Sequence, residues 1–135
     1  WLVAADEQQR AKFAQAKAAN TNGLAAFRAN DATTARELLS QAKSQLEELA
    51  LTNIMAYGEA VANLAEAVAV TDTLENGTAA FHEALAVNDR LFLKRSPTNG
   101  SMRQSLAMNL NRNGKPDQAI APLDEAAEIF KTFYV

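Results

Sequence analysis

The stretch that decides the fold runs from Gly114 to Phe130 and reads GKPDQAIAPLDEAAEIF. A turn comes first, and Pro116 then suits the first position of a helix, where its missing N–H costs little. Beyond it, apolar residues recur at intervals of three and four, the spacing that places them on one helix face. These residues are Ala119, Leu123, Ala126, Ile129 and Phe130. The stretch therefore predicts an amphipathic helix entered through a turn.

The same pattern occurs three times at a spacing of 42 residues. It consists of a small residue, a large apolar residue four positions later and an alanine three positions after that. The three copies are Ala35, Leu39 and Ala42; Gly77, Phe81 and Ala84; and Ala119, Leu123 and Ala126. Turn residues keep the same spacing, as Asn30, Asp72 and Gly114. Self-similarity at a fixed period indicates stacked repeats, whereas an alanine-rich bundle with accidental spacing is the alternative.

Composition narrows the class of protein. The 135 residues are 48% hydrophobic and 21% charged, which is enough for one domain with a core. A net charge of -3, with both signs scattered, gives no field that attracts nucleic acid or an anionic membrane. No apolar run reaches the roughly 18 residues of a membrane span, so we expect a soluble chain. The absence of cysteine excludes disulfides and leaves the compartment open, with the cytoplasm slightly preferred.

Six helices are predicted, paired as three hairpins in a single domain. The first continues to about Ala29 through the weak run at 20–23, and Asp31 caps the second. Thr52 or Asn53 is expected to cap the third helix, and 94–100, which contains the only Ser-Pro pair, is expected to be a loop. Helices two to six are expected at about 33–50, from the cap to 70, 74–93, 101–111 and from 116 to 132 or 133. The repeats would cover about 16–50, 53–93 and 100–133, after a helical extension at 1–15.

The paired helices resemble tetratricopeptide repeats over about residues 16–133. In that family the first helix of a unit carries an aromatic residue, then Leu-Gly, then Tyr, and the second carries Ala, a large residue and Ala. Here the second-helix positions match best. The first-helix positions are Ala19, Asn22-Gly23 and Ala26; Val61, Leu64-Ala65 and Val68; and Arg103, Leu106-Ala107 and Leu110. Gly23, Ala65 and Ala107 are small where the helices of a hairpin would cross. Two departures from the family are the absence of a large aromatic residue at the first-helix positions and a period of 42 rather than 34. The longer period is similar to that of the long repeats of kinesin light chains.

The resemblance implies an all-α fold of three stacked antiparallel hairpins in a right-handed superhelix, an α-solenoid. In such arrays the first helices line a concave groove that binds a peptide segment or a partner helix. The implied groove residues are Lys17, Asn20, Thr21, Leu24, Phe27 and Arg28; Glu59, Ala62, Asn63, Glu66 and Val70; and Gln104, Ser105, Met108, Asn111 and Arg112. The alternative is that these are solvated helix faces.

One branch of the family holds acidic C-terminal tails with a clamp of Lys, Arg and Asn side chains. The residues aligned with that clamp are Asn20, Leu24, Asn63, Ser101 and Ser105. Only Asn63 matches, and a clamp without its cations lacks the charge-assisted hydrogen bonds that hold a carboxylate. We therefore expect no tight binding of acidic tails.

The residues indicate no enzyme and no cofactor. His82 is the only histidine, so no second imidazole can join it in a metal site, and we expect it on the outer side of a helix. Neighbouring carboxylates such as Asp124 and Glu125 point about 100° apart on a helix and suit solvated faces rather than acid–base pairs. Glycine-rich phosphate loops are absent.

Both ends of the chain are apolar and suggest interfaces, because exposed apolar patches often mark contact surfaces. The candidate interface residues are Trp1, Leu2, Phe130, Phe133, Tyr134 and Val135. Two functions remain open. The first is a protein-interaction scaffold that binds a protein or peptide in the groove. The second is a non-catalytic assembly subunit that forms a homo-oligomer or a larger array through its ends, unless the terminal aromatic residues fold back on the last two helices.

Overall fold

The computed structural model describes residues 4–91 and 96–134, which form six α-helices and no strand. The predicted all-α class is therefore confirmed. The helices are α1 (Glu7–Arg28), α2 (Ala32–Glu48), α3 (Met55–Thr71), α4 (Leu74–Leu91), α5 (Pro97–Arg112) and α6 (Pro116–Tyr134). Within these described ranges, none of the helices has the length and apolar character that crossing a bilayer requires.

Helix α1 is continuous through the weak run at 20–23, as predicted. It begins with a capping box, in which the Asp6 carboxylate accepts a hydrogen bond of 2.7 Å from the backbone amide of Gln9. Helix packing requires glycine at position 23, because a Cβ there would come within 2.7 Å of Leu39 Cγ. Ala65 and Ala107, at the corresponding positions of the next two hairpins, are fully buried. Small residues thus occupy the places where paired helices touch, as the repeat pattern predicts.

Two predicted helix starts are wrong. Helix α3 follows Ile54, which makes no side-chain cap, rather than Thr52 or Asn53. Helix α5 begins at Pro97 instead of residue 101, so the third hairpin starts before residue 100 and 97–100 are helical. The Ser96 hydroxyl accepts a hydrogen bond from the Asn99 amide, so the Ser-Pro pair starts a helix rather than a loop. The other residues of that expected loop, and the predicted end of the fourth helix at 93, lie partly outside the described residues.

The turns inside the first and third hairpins are alike. Asn30 has a φ of 63° and Gly114 a φ of 74°, a left-handed conformation that asparagine and glycine tolerate best. The amide of the next residue then bonds to a carbonyl five residues back, at 2.9 Å in both turns. The second hairpin departs from this form, because its equivalent residue, Asp72, is extended and caps the α3 terminus.

Each helix packs against the next one along the chain, which is compatible with an array of hairpins. The odd-numbered helices also contact each other, α1 with α3 and α3 with α5, whereas the backbones of the described even-numbered helices stay apart. A side-chain bridge spans the gap between α2 and α4, where the Lys43 ammonium lies 3.1 Å from both Glu47 and Glu83. Lys43 thus joins a carboxylate one turn away on α2 to a carboxylate on α4.

The repeated triplet forms the core in two of its three copies. Leu39 and Phe81 are 0% and 1% exposed, and the small residues on either side of them are buried as well. Leu123, the third copy of the large residue, is 41% exposed, so its expected burial is wrong. The reason is positional: α3 covers α2 and α5 covers α4, but no described helix covers α6 on that side.

Candidate functional site

A cavity of about 420 Å³ lies between α1 and α3. Its wall comes from residues one turn apart on α1 and from two residues of α3. The lining residues are Asn20, Thr21, Leu24, Ala25 and Arg28 from α1, and Glu59 and Asn63 from α3. All of these except Ala25 are among the implied groove residues, so four from the first hairpin and two from the second come together, because α1 and α3 are in direct contact. We call this cavity the α1–α3 groove.

The α1–α3 groove has hydrogen-bonding capacity that the protein does not use. The Asn20 Oδ1 atom is buried and accepts no hydrogen bond from any described residue. The Asn63 side chain likewise has no hydrogen-bond partner in the described part of the chain. An unpaired buried acceptor costs about 1–3 kcal/mol, so rotation of the Asn20 amide toward a donor of a bound molecule would be favourable. Asparagine amides both donate and accept, which suits the backbone of an extended peptide.

The remaining walls of the α1–α3 groove add one apolar spot and two opposite charges. Leu24 is half-buried, and Ala25 beside it is exposed. Arg28 lies in the last turn of α1, and Glu59 lies across the groove on α3. Neither forms an ion pair with another described residue, so both charges remain free for a ligand.

A second group of implied groove residues meets between α3 and α5. The Glu66 carboxylate receives a hydrogen bond from the Ser105 side chain and is attracted by Arg112. Burial nevertheless raises the pKa of Glu66 above its ordinary value of 4.5, because desolvation outweighs both favourable contacts. The polar residues between α3 and α5 therefore interact with one another, unlike those of the α1–α3 groove.

This pKa shift predicts a pH-dependent stability. The raised pKa means that the folded state binds the Glu66 proton more tightly, so the stabilisation is full below about pH 4.5 and is lost as pH rises through the folded pKa. Glu66→Gln, which keeps a hydrogen-bonding side chain without the charge, is expected to raise the free energy of unfolding at pH 7 but not at pH 4. Urea unfolding at the two pH values checks this. An equal effect at both would contradict it.

Other implied groove residues lie elsewhere. Phe27 packs, partly buried, against the core cluster of Ala35, Leu39 and Ala67 and does not line the cavity. The Lys17 ammonium lies 5.7 Å from the centre of the Phe13 ring and does not line the cavity. The remaining residues line neither the cavity nor the polar cluster: Ala62 is buried, and Val70, Gln104, Met108 and Asn111 are exposed.

The candidate interface residues at the end of α6 are only partly covered. Phe130 is half-buried, and a Cβ on Gly100 of α5 would lie 3.0 Å from its ring. Its ring centre is 6.1 Å from that of Tyr134, which is itself exposed, as is Phe133. Only Phe130 thus folds back on α5. Trp1, Leu2 and Val135 lie outside the described residues.

The most buried charge belongs to Arg103, at a first-helix core position of the third hairpin. Its side chain is 8% exposed, with Nε 2.7 Å from Glu125 and Nη2 3.2 Å from Asp89. Asn99 completes the cluster by donating a 2.8 Å hydrogen bond to Asp89. Burial lowers the pKa of Arg103, but these carboxylates outweigh it and the net shift is upward. Local sequence patterns do not predict this cluster, although a cation at the repeat position that Ala19 and Val61 occupy in the other hairpins is a usable signal.

The Arg103 cluster borders a second cavity, of about 500 Å³, between α4, α5 and α6. His82 lines it and is exposed, as expected for the outer side of a helix. The Thr78 hydroxyl on the same wall has no hydrogen-bond partner among the described residues, so it is not paired with the imidazole. In those residues no group of three or more His, Cys, Asp or Glu side chains could hold a metal ion.

Searched against protein-family models and against curated proteins, the sequence matches none of them.

Proposed function

We propose that the chain is a non-catalytic scaffold, an α-solenoid of tetratricopeptide-like hairpins, that binds an extended peptide in the α1–α3 groove. The observation that carries the proposal is the unpaired Asn20 acceptor in a cavity of about 420 Å³ whose opposite wall holds the unpaired Asn63 amide. An asparagine amide without an internal partner can both donate a hydrogen bond to a peptide backbone and accept one from it.

The packing of the helices supports the solenoid part of the proposal. A curved array brings its inner helices together and spreads its outer ones. Odd-numbered helices in contact and even-numbered backbones apart, within residues 4–91 and 96–134, agree with that curvature. Burial of Leu39 and Phe81 at one repeat position supports a common unit.

The groove walls suggest the chemistry of the peptide. One apolar side chain would rest on Leu24 and Ala25, and backbone groups on either side would bond to the two asparagines. Arg28 and Glu59 favour a segment that carries one acidic and one basic residue. A purely acidic tail would gain from Arg28 alone and meet Glu59 as a like charge.

The test is selection of a random octapeptide library on the immobilised chain, followed by calorimetric titration of the selected peptides. Asn63→Ala is expected to raise the dissociation constant about 3- to 10-fold, the effect of one hydrogen bond. Gln41→Ala, an exposed amide on α2, is the matched control and is expected to leave it unchanged. Peptides that bind Asn63→Ala and the wild type equally would place binding elsewhere, and a library without binders would remove the proposal.

Assembly through α6 is a second candidate function. Ile120, Leu123, Phe133 and Tyr134 are all among the exposed large apolar residues of the described chain. Four such side chains on one helix are more than scattered surface residues would give. This candidate does not depend on peptide binding.

A further inference from the structure

The exposed face of α6 is equivalent to faces that are buried inside the chain. In the first contact between hairpins, Ala35 and Leu39 of α2 cluster with Ala67 of α3. Ala42 of α2 clusters with Ala60 of α3 in the same way. In this first contact α3 thus presents two small side chains, Ala60 and Ala67, seven residues apart. Helix α6 repeats the covered half of this contact, with Leu123 in the place of Leu39.

The second contact between hairpins keeps the same register. A Cβ on Gly77, the equivalent of Ala35, would lie 3.2 Å from the Asn109 amide nitrogen. Asn109 is 42 residues after Ala67, so the pair is shifted by one repeat on both sides. The repeat therefore fixes which residues meet wherever two hairpins stack, and it predicts the residues that should cover α6.

Those residues are present on the other end of the molecule. One repeat before Ala60 and Ala67 are Ala18 and Ala25, on a face of α1 that borders the α1–α3 groove at Ala25. Both are exposed, whereas Ala60 and Ala67 are fully buried. The α1 face is thus the unused covering half of the contact, and Asn22 between the two alanines is exposed as well.

Charge supports the same pairing independently. Helix α1 carries four basic residues and one acidic residue, whereas α6 carries four acidic residues and one basic residue. Opposite charges favour packing of α6 against α1 of another copy, whereas like charges disfavour packing of α6 against a second α6. In the register of the internal contacts, the Asp117 end of α6 would lie beside the Arg28 end of α1, and Glu128 beside Lys17.

We propose that two copies of this chain stack head to tail, with α6 of one copy covered by the outer face of α1 of the next, so that Leu123 contacts Asn22 and Ala25 of the neighbour and Ala126 lies against its Ala18. The proposal rests on the second candidate function. The contact is heterologous, because it joins two different surfaces. In a dimer one copy keeps its α1 face free, and the other copy keeps its α6 face free.

The test is light scattering after size-exclusion chromatography on the full chain and two blocked variants. Leu123→Glu places a charge in the α6 face, and Ala18→Glu places one in the α1 face. We expect the wild-type mass to rise with concentration and each variant to stay at the mass of one chain. An equimolar mixture of the variants is expected to form a dimer of one chain of each, because one intact α6 face and one intact α1 face remain. Gln41→Glu on α2 is the control and should associate like the wild type.

Each other outcome contradicts the proposal in a distinct way. A wild-type mass that stays at one chain at all concentrations would remove the assembly function together with this contact and leave the α6 face to a different protein. Association of either variant alone would keep an assembly function but replace the head-to-tail contact with a symmetric one. Two variants with wild-type helical circular dichroism that stay monomeric when mixed would also exclude the α6–α1 pairing.

Discussion

Phe81→Ala is expected to lower the free energy of unfolding by about 3–5 kcal/mol, the usual cost of emptying a buried aromatic site. The ring is 1% exposed and belongs to the main core cluster, with Leu106 of α5 and Val61 of α3. A domain of this size has a stability of roughly 5–15 kcal/mol, so the loss would be a large part of the total. Urea unfolding followed by far-UV circular dichroism measures it.

The matched control is Leu123→Ala, one repeat later in the chain. The sequence pattern makes the two positions equivalent, but Leu123 is 41% exposed and its truncation is expected to cost about 1 kcal/mol in the monomer. Leu39→Ala, in the first copy, is expected to cost about 2–5 kcal/mol, because that residue is 0% exposed. Equal losses at all three positions would contradict the assignment of α6 as an uncovered helix.

Arg103→Met is expected to lower the free energy of unfolding by about 2–3 kcal/mol. Removal of one partner of a buried ion pair leaves the other charge uncompensated, which costs about 3–5 kcal/mol when both are fully buried. Here Asp89 is a quarter exposed and Glu125 is mostly exposed, so solvent reduces the loss. The same unfolding experiment applies.

Arg36→Met is the control for Arg103→Met. Arg36 pairs with Asp72 at 2.7 Å, the same distance as that of Arg103 from Glu125, but its side chain is 40% exposed. A pair in contact with solvent contributes about 0–1 kcal/mol, so this change is expected to be mild. Asp89→Asn added to Arg103→Met should recover part of the loss, because it removes the stranded carboxylate. Equal effects of the two arginine changes would show that burial of Arg103 is not what makes it important.

The sequence predicted the repeat register and hence much of the core. Leu39 and Phe81 follow the pattern because the next hairpin covers them, and Leu123 departs from it because burial depends on what packs against a residue, not on the residue itself. Gly23, Ala65 and Ala107 were recognisable since only small residues allow close helix contact.

The start of α5 and the packing of the Phe27 side chain could not be predicted from local sequence patterns, because both depend on tertiary contacts. Asn99 and Gly100 have low helix propensity, yet Asn99 is buried against Asp89 and Gly100 lies beneath Phe130, so tertiary contacts hold the helix there. Phe27 is close to the groove in sequence, but its side chain faces the core because Ala35 and Ala67 leave room for it. A single residue along a helix turns a side chain by about 100°, enough to move it from groove to core.

Six of the seven residues that line the α1–α3 groove, all but Ala25, were named from the sequence, but their lack of internal hydrogen bonds was not. Asn20 and Asn63 could be assigned to facing helices by the period of 42, whereas the lack of internal hydrogen bonds depends on distances between helices. The Arg103 cluster shows the reverse case, in which Asp89 and Glu125 come from different helices and meet only in the folded chain.

Peptide binding in the α1–α3 groove is tested most directly by a nuclear magnetic resonance titration of the isotope-labelled chain with a library-selected octapeptide. The largest chemical-shift changes are expected at the backbone amide of Leu24 and at the side-chain amides of Asn20 and Asn63. Smaller changes are expected at Glu59 and Arg28, on the rim of the α1–α3 groove. Changes concentrated on α2 or α6, with these amides unmoved, would contradict a peptide-binding groove between α1 and α3.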